Sequence, residues 1–263
     1  MSRHQQRIDA ATVRDRLRNV TDPELDRSIV ELEYVDEIRI DGGSVTVEFT
    51  LPTAWCSPAF AWMMAVDARD ALETHPAVSE ATIRLRDHMH EAEINEGVND
   101  RRAFEEVFDD ADGDIEEVRR TLDDKARLAR QYRAIDALLE GGLKPEQIVR
   151  LTREDVDVES DPGASRDENA DRAVVRIDDA LSVCIEAEPI RRYLEKAASM
   201  GVVSAAGDRL FATPEGEPIP VTEFERVHKR SRLAGTNMSG QGHVCENLGE
   251  ARIGGPGPSM TDV

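Results

Sequence analysis

SVTVEFTLPTAWCSPAF, residues 44–60, changes its period halfway along. Val45, Val47, Phe49 and Leu51 alternate with Thr46, Glu48 and Thr50, the pattern of a strand with one face buried. Beyond Pro58 the spacing turns helical. Phe60, Met64, Ala68 and Leu72 recur every four residues until His75-Pro76 ends the run. At the step between strand and helix stands Cys56. Ser57 is a suitable cap and Pro58 suits the first helical turn. A sulfur placed there faces unpaired N–H groups and the positive end of the helix dipole, both of which favour thiolate over thiol. The plain alternative is a small buried apolar side chain.

The neighbouring segments extend this pattern in both directions. Upstream, Tyr34 to Ile40 reads as a strand and Asp41-Gly42-Gly43 as a turn. Before them, Val13, Leu17 and Val20 have helical spacing, and the helix must stop ahead of Asp22-Pro23. Downstream, Ala81, Ile83 and Leu85 alternate with Thr82, Arg84 and Arg86 as a third strand. Residues 8–98 therefore read as a small α-β-β-α-β domain with both helices on one sheet face, and the chain as α+β.

Residues 99–153 read as a helical extension. Ile115, Val118, Leu122, Ala126, Ala129 and Tyr132 form its stripe, and Gly141-Gly142 closes it. Residues 154–172 are acidic, carry Pro162-Gly163 and read as a solvated linker. A smaller α/β module over 173–233 follows. Val174 to Ile177 and Leu181 to Ile185 suggest a hairpin, and helices are expected over Pro189 to Met200 and Val221 to Arg232. Residues 234–263 read as a flexible, glycine-rich tail.

Of 263 residues, 54 are Asp or Glu and 33 are Lys or Arg, for a net charge of −21. Only Lys125, Lys144, Lys196 and Lys229 are lysines. Such a balance fits a high-salt cytoplasm, where screening removes self-repulsion. It opposes binding to a phosphate backbone, so no nucleic-acid partner is expected. No apolar run reaches the length of a membrane span, so no membrane partner is expected either. Three cysteines, far apart, do not make a disulfide framework.

The Asp22-Pro23-Glu24-Leu25 turn, the Ser28-Ile29-Val30-Glu31-Leu32 run and the Thr53-Ala54-Trp55-Cys56 step follow one another in this α-β-β-α-β order. Together they resemble the PaaD/SufT-like iron–sulfur cluster assembly domain over roughly residues 10–90. Asp22, Glu24, Thr53 and Cys56 fall on that family's characteristic polar positions. Glu33 stands where the family has glycine, Glu31 replaces an aspartate, and Ser57 separates Cys56 from Pro58. The resemblance implies an accessory factor for assembly of an iron–sulfur cluster or related metal centre. It would bind a client apo-protein or a cluster carrier, hold the cluster or iron transiently, and have a multicomponent oxygenase as a plausible client.

Clusters generally take four protein ligands, so one cysteine per chain suits a transient site. A second copy of the chain, a partner or a small thiol would complete it. Asp22 and Glu24 could accept the thiol proton or offer oxygen ligands; as exposed carboxylates of a helix-stopping turn they would do neither. His88 and His90 would share one side of a continuing third strand, with Glu91 and Glu93 nearby. His243 and Cys245 could close over Cys56 or bind a metal, and Cys184 reads as core. Two rival functions are a cysteine-dependent redox or transfer enzyme and a non-catalytic interaction module.

Overall fold

The Asp9 side chain accepts the Thr12 amide at 2.8 Å and starts α1, Ala10–Leu17, which buries Val13 and Leu17. The computed structural model describes residues 8–109, 114–158, 172–178 and 181–238. These divide into two compact units, one formed by residues up to 119 and the other by 120–238.

In the first unit the sequence between α1 and the main sheet forms a short hairpin. β1 (Thr21–Asp22) pairs antiparallel with β2 (Arg27–Ser28), and the Asp-Pro-Glu turn is its loop. β3 (Val35–Asp41) and β4 (Ser44–Thr50) then pair antiparallel, turning at Gly42 with φ +60°. The helix α2 (Pro58–Glu73) carries the chain across to β5 (Glu80–Arg86), which pairs parallel to β4. The sheet order is β3-β4-β5. Val45, Val47 and Phe49 of β4 and Ala81, Ile83 and Leu85 of β5 form one buried face. That face shares a core with Val13 and Leu17 of α1 and with Met64, Ala68 and Leu72 of α2. The α+β reading of this region is the observed architecture.

Two further helices follow: α3 (Glu91–Asn99) and α4 (Phe104–Val107). α3 was not legible from periodicity, because its buried positions are only Ile94, Gly97 and Val98. It lies along the free edge of β5. Asn95 accepts the Leu85 amide at 2.7 Å and donates to the Leu85 carbonyl at 3.0 Å. Asn99 does the same for Ile83, at 2.9 and 2.8 Å. Two side-chain amides thus supply the hydrogen bonds of a missing strand.

α5 (Ile115–Glu140) begins in the first unit and supplies Ala134, Ile135 and Leu138 to the core of the second. α6 (Pro145–Ile148) follows. A three-stranded antiparallel sheet comes next, β6 (Val156–Asp157), β7 (Arg172–Asp178) and β8 (Leu181–Glu186), in that order across the sheet. α7 (Ala187–Ser199) and α8 (residues 224–238) complete the unit.

Three expectations are corrected here. Residues 154–158 are not part of a solvated linker: Val156 pairs with Val175 and is 3% exposed, so the acidic segment opens with a core strand. Cys184 is exposed rather than core, because alternation along β8 sends Ile185 inward and Cys184 outward. Helix α8 runs through Gly235 to residue 238, where Met238 packs with Ala126 and Ala129. The helical period is hidden in sequence by the small residues that this packing requires.

Candidate functional site

Loop 51–57 joins β4 to α2, and the parallel pairing of β4 with β5 sets its surroundings. In a β-α-β unit the carboxyl ends of the two strands lie side by side, so the loops that leave them become neighbours. Here the Met89 amide, just past β5, donates to the Ala54 carbonyl at 3.0 Å. Cys56 stands one residue before the helix cap. The Ser57 carbonyl accepts the Phe60 and Ala61 amides at 3.0 and 3.1 Å, and Pro58 opens the helix. The Ser57 hydroxyl makes no capping bond. Its position as the cap was legible in sequence; its use of the backbone alone was not.

The Cys56 sulfur is half-buried and lies 3.5 Å from the Thr53 hydroxyl oxygen. That oxygen accepts the Trp55 amide at 3.3 Å, which leaves its own proton free to point at sulfur. The Cys56 amide donates back to the Thr53 carbonyl at 3.4 Å. Thr53 and Cys56, two residues singled out from sequence, are thus brought together by a tight turn. Trp55 between them is 77% exposed, and Met89 across the loop pair is 52% exposed.

Asp22 is 8% exposed and its carboxylate is fully engaged. One oxygen accepts the Glu24 and Leu25 amides at 2.9 and 3.1 Å, and the other accepts the Tyr34 hydroxyl at 3.3 Å. Burial holds the Asp22 carboxyl above its ordinary range, against the opposing pull of those three donors. It is the organiser of the β1–β2 turn, not an exposed carboxylate. Glu24 is half-buried in the same turn. His243 and Cys245 lie outside the described residues.

His88 and His90 do not lie on one side of a strand. β5 ends at Arg86, and Asp87, at φ +53°, turns the chain away. His88 is 7% exposed, and both ring nitrogens are engaged with the backbone. Nδ1 accepts the His90 amide at 3.1 Å, so the ring proton sits on Nε2 and is donated to the Cys56 carbonyl at 3.0 Å. Burial holds His88 below its usual value, in keeping with a neutral ring. His90 packs edge-on against Phe108, which joins Trp62 and Phe104 in an aromatic cluster. The sequence placed His88 beside His90 at the end of a strand, and its contact with the loop was not legible there. The parallel order of β4 and β5 was the signal that could have revealed it.

Among the described residues, no three His, Cys, Asp or Glu side chains are grouped so that they could hold a metal ion. Cys56 offers one ligand, with the Thr53 hydroxyl beside it. No helix among the described residues is long and apolar enough to cross a membrane.

Residues 10–83 match the iron-sulfur cluster assembly protein family. The match spans a little over a quarter of the chain, includes Asp22, Glu24, Thr53 and Cys56, and ends before His88. The matched residues lie within the N-terminal unit. No curated protein matches the chain.

Proposed function

We propose that this protein is an accessory factor in assembly of an iron–sulfur cluster or related metal centre, with Cys56 as a transient ligand in delivery to a client. The observation that carries this reading is the half-buried Cys56 sulfur beside the Thr53 hydroxyl, within the segment that matches the assembly family. A hydroxyl that can donate to sulfur stabilises it as a ligand without adding a second strong one. One thiol releases its cargo more readily than four would. The remaining ligands come from the acceptor, a cluster carrier, a small thiol or a second copy of the chain. Trp55 and Met89, exposed beside the sulfur, give that partner an apolar contact of the kind that dominates binding energy at interfaces. A multicomponent oxygenase is a client that fits this role, and a reducing cytoplasm is the compartment that fits a working free thiol.

The enzymatic alternative gains no support from the histidine nearest the sulfur's backbone. Both His88 nitrogens are engaged with the backbone, so the ring is not placed as a general base.

The test is anaerobic reconstitution of the full chain with ferrous iron and sulfide. Wild type and Cys184→Ser should retain iron and sulfide after desalting, and Cys56→Ser should retain at least tenfold less. Equal retention by Cys56→Ser, with an unchanged melting temperature, would overturn the assignment.

A further inference from the structure

We infer that His88 is a positioning residue for Cys56, a clasp that holds the cysteine's backbone in the orientation that aims its sulfur at Thr53. This rests on the reading of Cys56 as the working ligand, and His88 lies beyond the residues that match the family. The backbone at residue 56 sets where the Cα–Cβ bond points, and with the χ1 rotamer it sets the direction of the sulfur. Downstream, the first helical residue, Pro58, has its φ set by its ring. Upstream, the turn is closed by the Cys56 amide on the Thr53 carbonyl, at 3.4 Å a long bond. The Cys56 carbonyl is held by His88 Nε2 at 3.0 Å.

The ring is itself rigidly placed. It is 7% exposed, and its other nitrogen takes the His90 amide at the entrance to α3. The Asp87 amide is held by Glu91 at 3.0 Å, so the turn that presents His88 is pinned on both sides. The Met89–Ala54 bond runs alongside as a second tie between the two loops. Asp87 to His90 are thus a brace for loop 51–57, and His88 is the one side chain of the brace that reaches the cysteine. A largely buried ring donating to that carbonyl faces less competition from water than an exposed donor would.

Two isosteric replacements separate the ring's two bonds. Gln places an amide nitrogen near the Nε2 position, so His88→Gln keeps the donor to Cys56 and loses the acceptor for His90. Asn places an amide oxygen near the Nδ1 position, so His88→Asn keeps the His90 bond and loses the clasp. Amide hydrogen exchange of the peptide covering residues 51–57 is measured on the full chain, together with iron and sulfide retention after reconstitution and the melting temperature. In His88→Asn, exchange in that peptide should quicken about tenfold, and retention should fall by a similar factor. In His88→Gln both should stay within about twofold of wild type, although the melting temperature falls in both variants. A side chain that only fills space would move exchange, retention and melting together and alike in the two variants, and that result overturns the proposal. So does His88→Asn with native exchange.

If wild type and Cys56→Ser retain iron equally, the assembly reading fails, and the exchange comparison still decides whether His88 holds the loop. If neither variant folds, nitrogen-15 spectra of the wild-type imidazoles decide instead. A His88 ring protonated on Nε2 alone supports the clasp; a ring protonated on Nδ1 rejects it.

Discussion

Asp22 shows how a residue can sit at a motif position and be consumed by local structure. Its carboxylate answers two backbone amides and a tyrosine hydroxyl, so removing it leaves donors unpaired in a buried turn. Asp22→Ala is expected to cost about 1–3 kcal/mol. Asp22→Asn keeps an acceptor for the two amides and offers an N–H to the Tyr34 oxygen, without the buried charge. Because the folded-state pKa is raised, the native protein binds its proton at a higher pH than the unfolded chain does. The contribution of Asp22 to stability therefore becomes less unfavourable as pH falls toward its unfolded value of about 3.9. Melting temperatures across pH should show Asp22→Asn at or above wild type at pH 7, with that advantage shrinking as pH falls. An Asn variant that is clearly less stable at pH 7 would mean that the ionised form is what the turn needs. Glu33 stands where the resemblance implies a glycine, and it adopts the left-handed conformation that glycine takes readily, with φ +57°. The turn is kept, and the chain carries the conformational cost.

At the level of elements, α3 depends on a close approach. A Cβ built on Gly97 would lie 2.6 and 2.7 Å from Trp62 ring atoms and 2.7 Å from a Val107 methyl. In an exposed helix, glycine to alanine stabilises by about 1 kcal/mol. Here the ring that must give way is 4% exposed and wedged against Phe104. Gly97→Ala is expected to destabilise by about 1–3 kcal/mol, as overpacking does. Chemical denaturation of the variant checks the sign: a gain in stability would show that α3 can withdraw from Trp62 without loss. The same helix carries Asn95 and Asn99 onto the edge of β5, so its displacement would also uncover strand hydrogen bonds.

At the level of the whole molecule, the described residues build two main cores. The first gathers α1, the β3-β4-β5 sheet and α2. The second gathers α5, β6 to β8, α7 and α8. Inside the second, Arg127 is 1% exposed; Nη2 donates to the Thr213 and Pro214 carbonyls, while Nε and Nη1 find no hydrogen-bond partner among the described residues. The full chain carries a net charge of −21. Raising salt from about 0.1 M to about 1 M shortens the screening length from about 10 Å to about 3 Å and should weaken the repulsion within the folded state. Scanning calorimetry is expected to show both units melting several degrees higher at the higher potassium chloride concentration. A melting temperature that does not rise with salt would show that the acidic surface places no electrostatic load on the fold.

The α+β class and the main strands and helices of the first unit were legible in the sequence alone, whereas the contact between Thr53 and Cys56 was not. The class and the elements follow from local periodicity, and local patterns are written in neighbouring side chains. The tertiary structure alone decided what Asp22, His88, Asn95 and Cys184 do. Asp22 meets Tyr34, His88 meets Cys56 and Asn95 meets Leu85 only once the strands have paired. Cys184 faces outward because of the register β8 adopts against β7. A side chain's partners across a fold depend on strand order and register, and no single stretch of sequence encodes either.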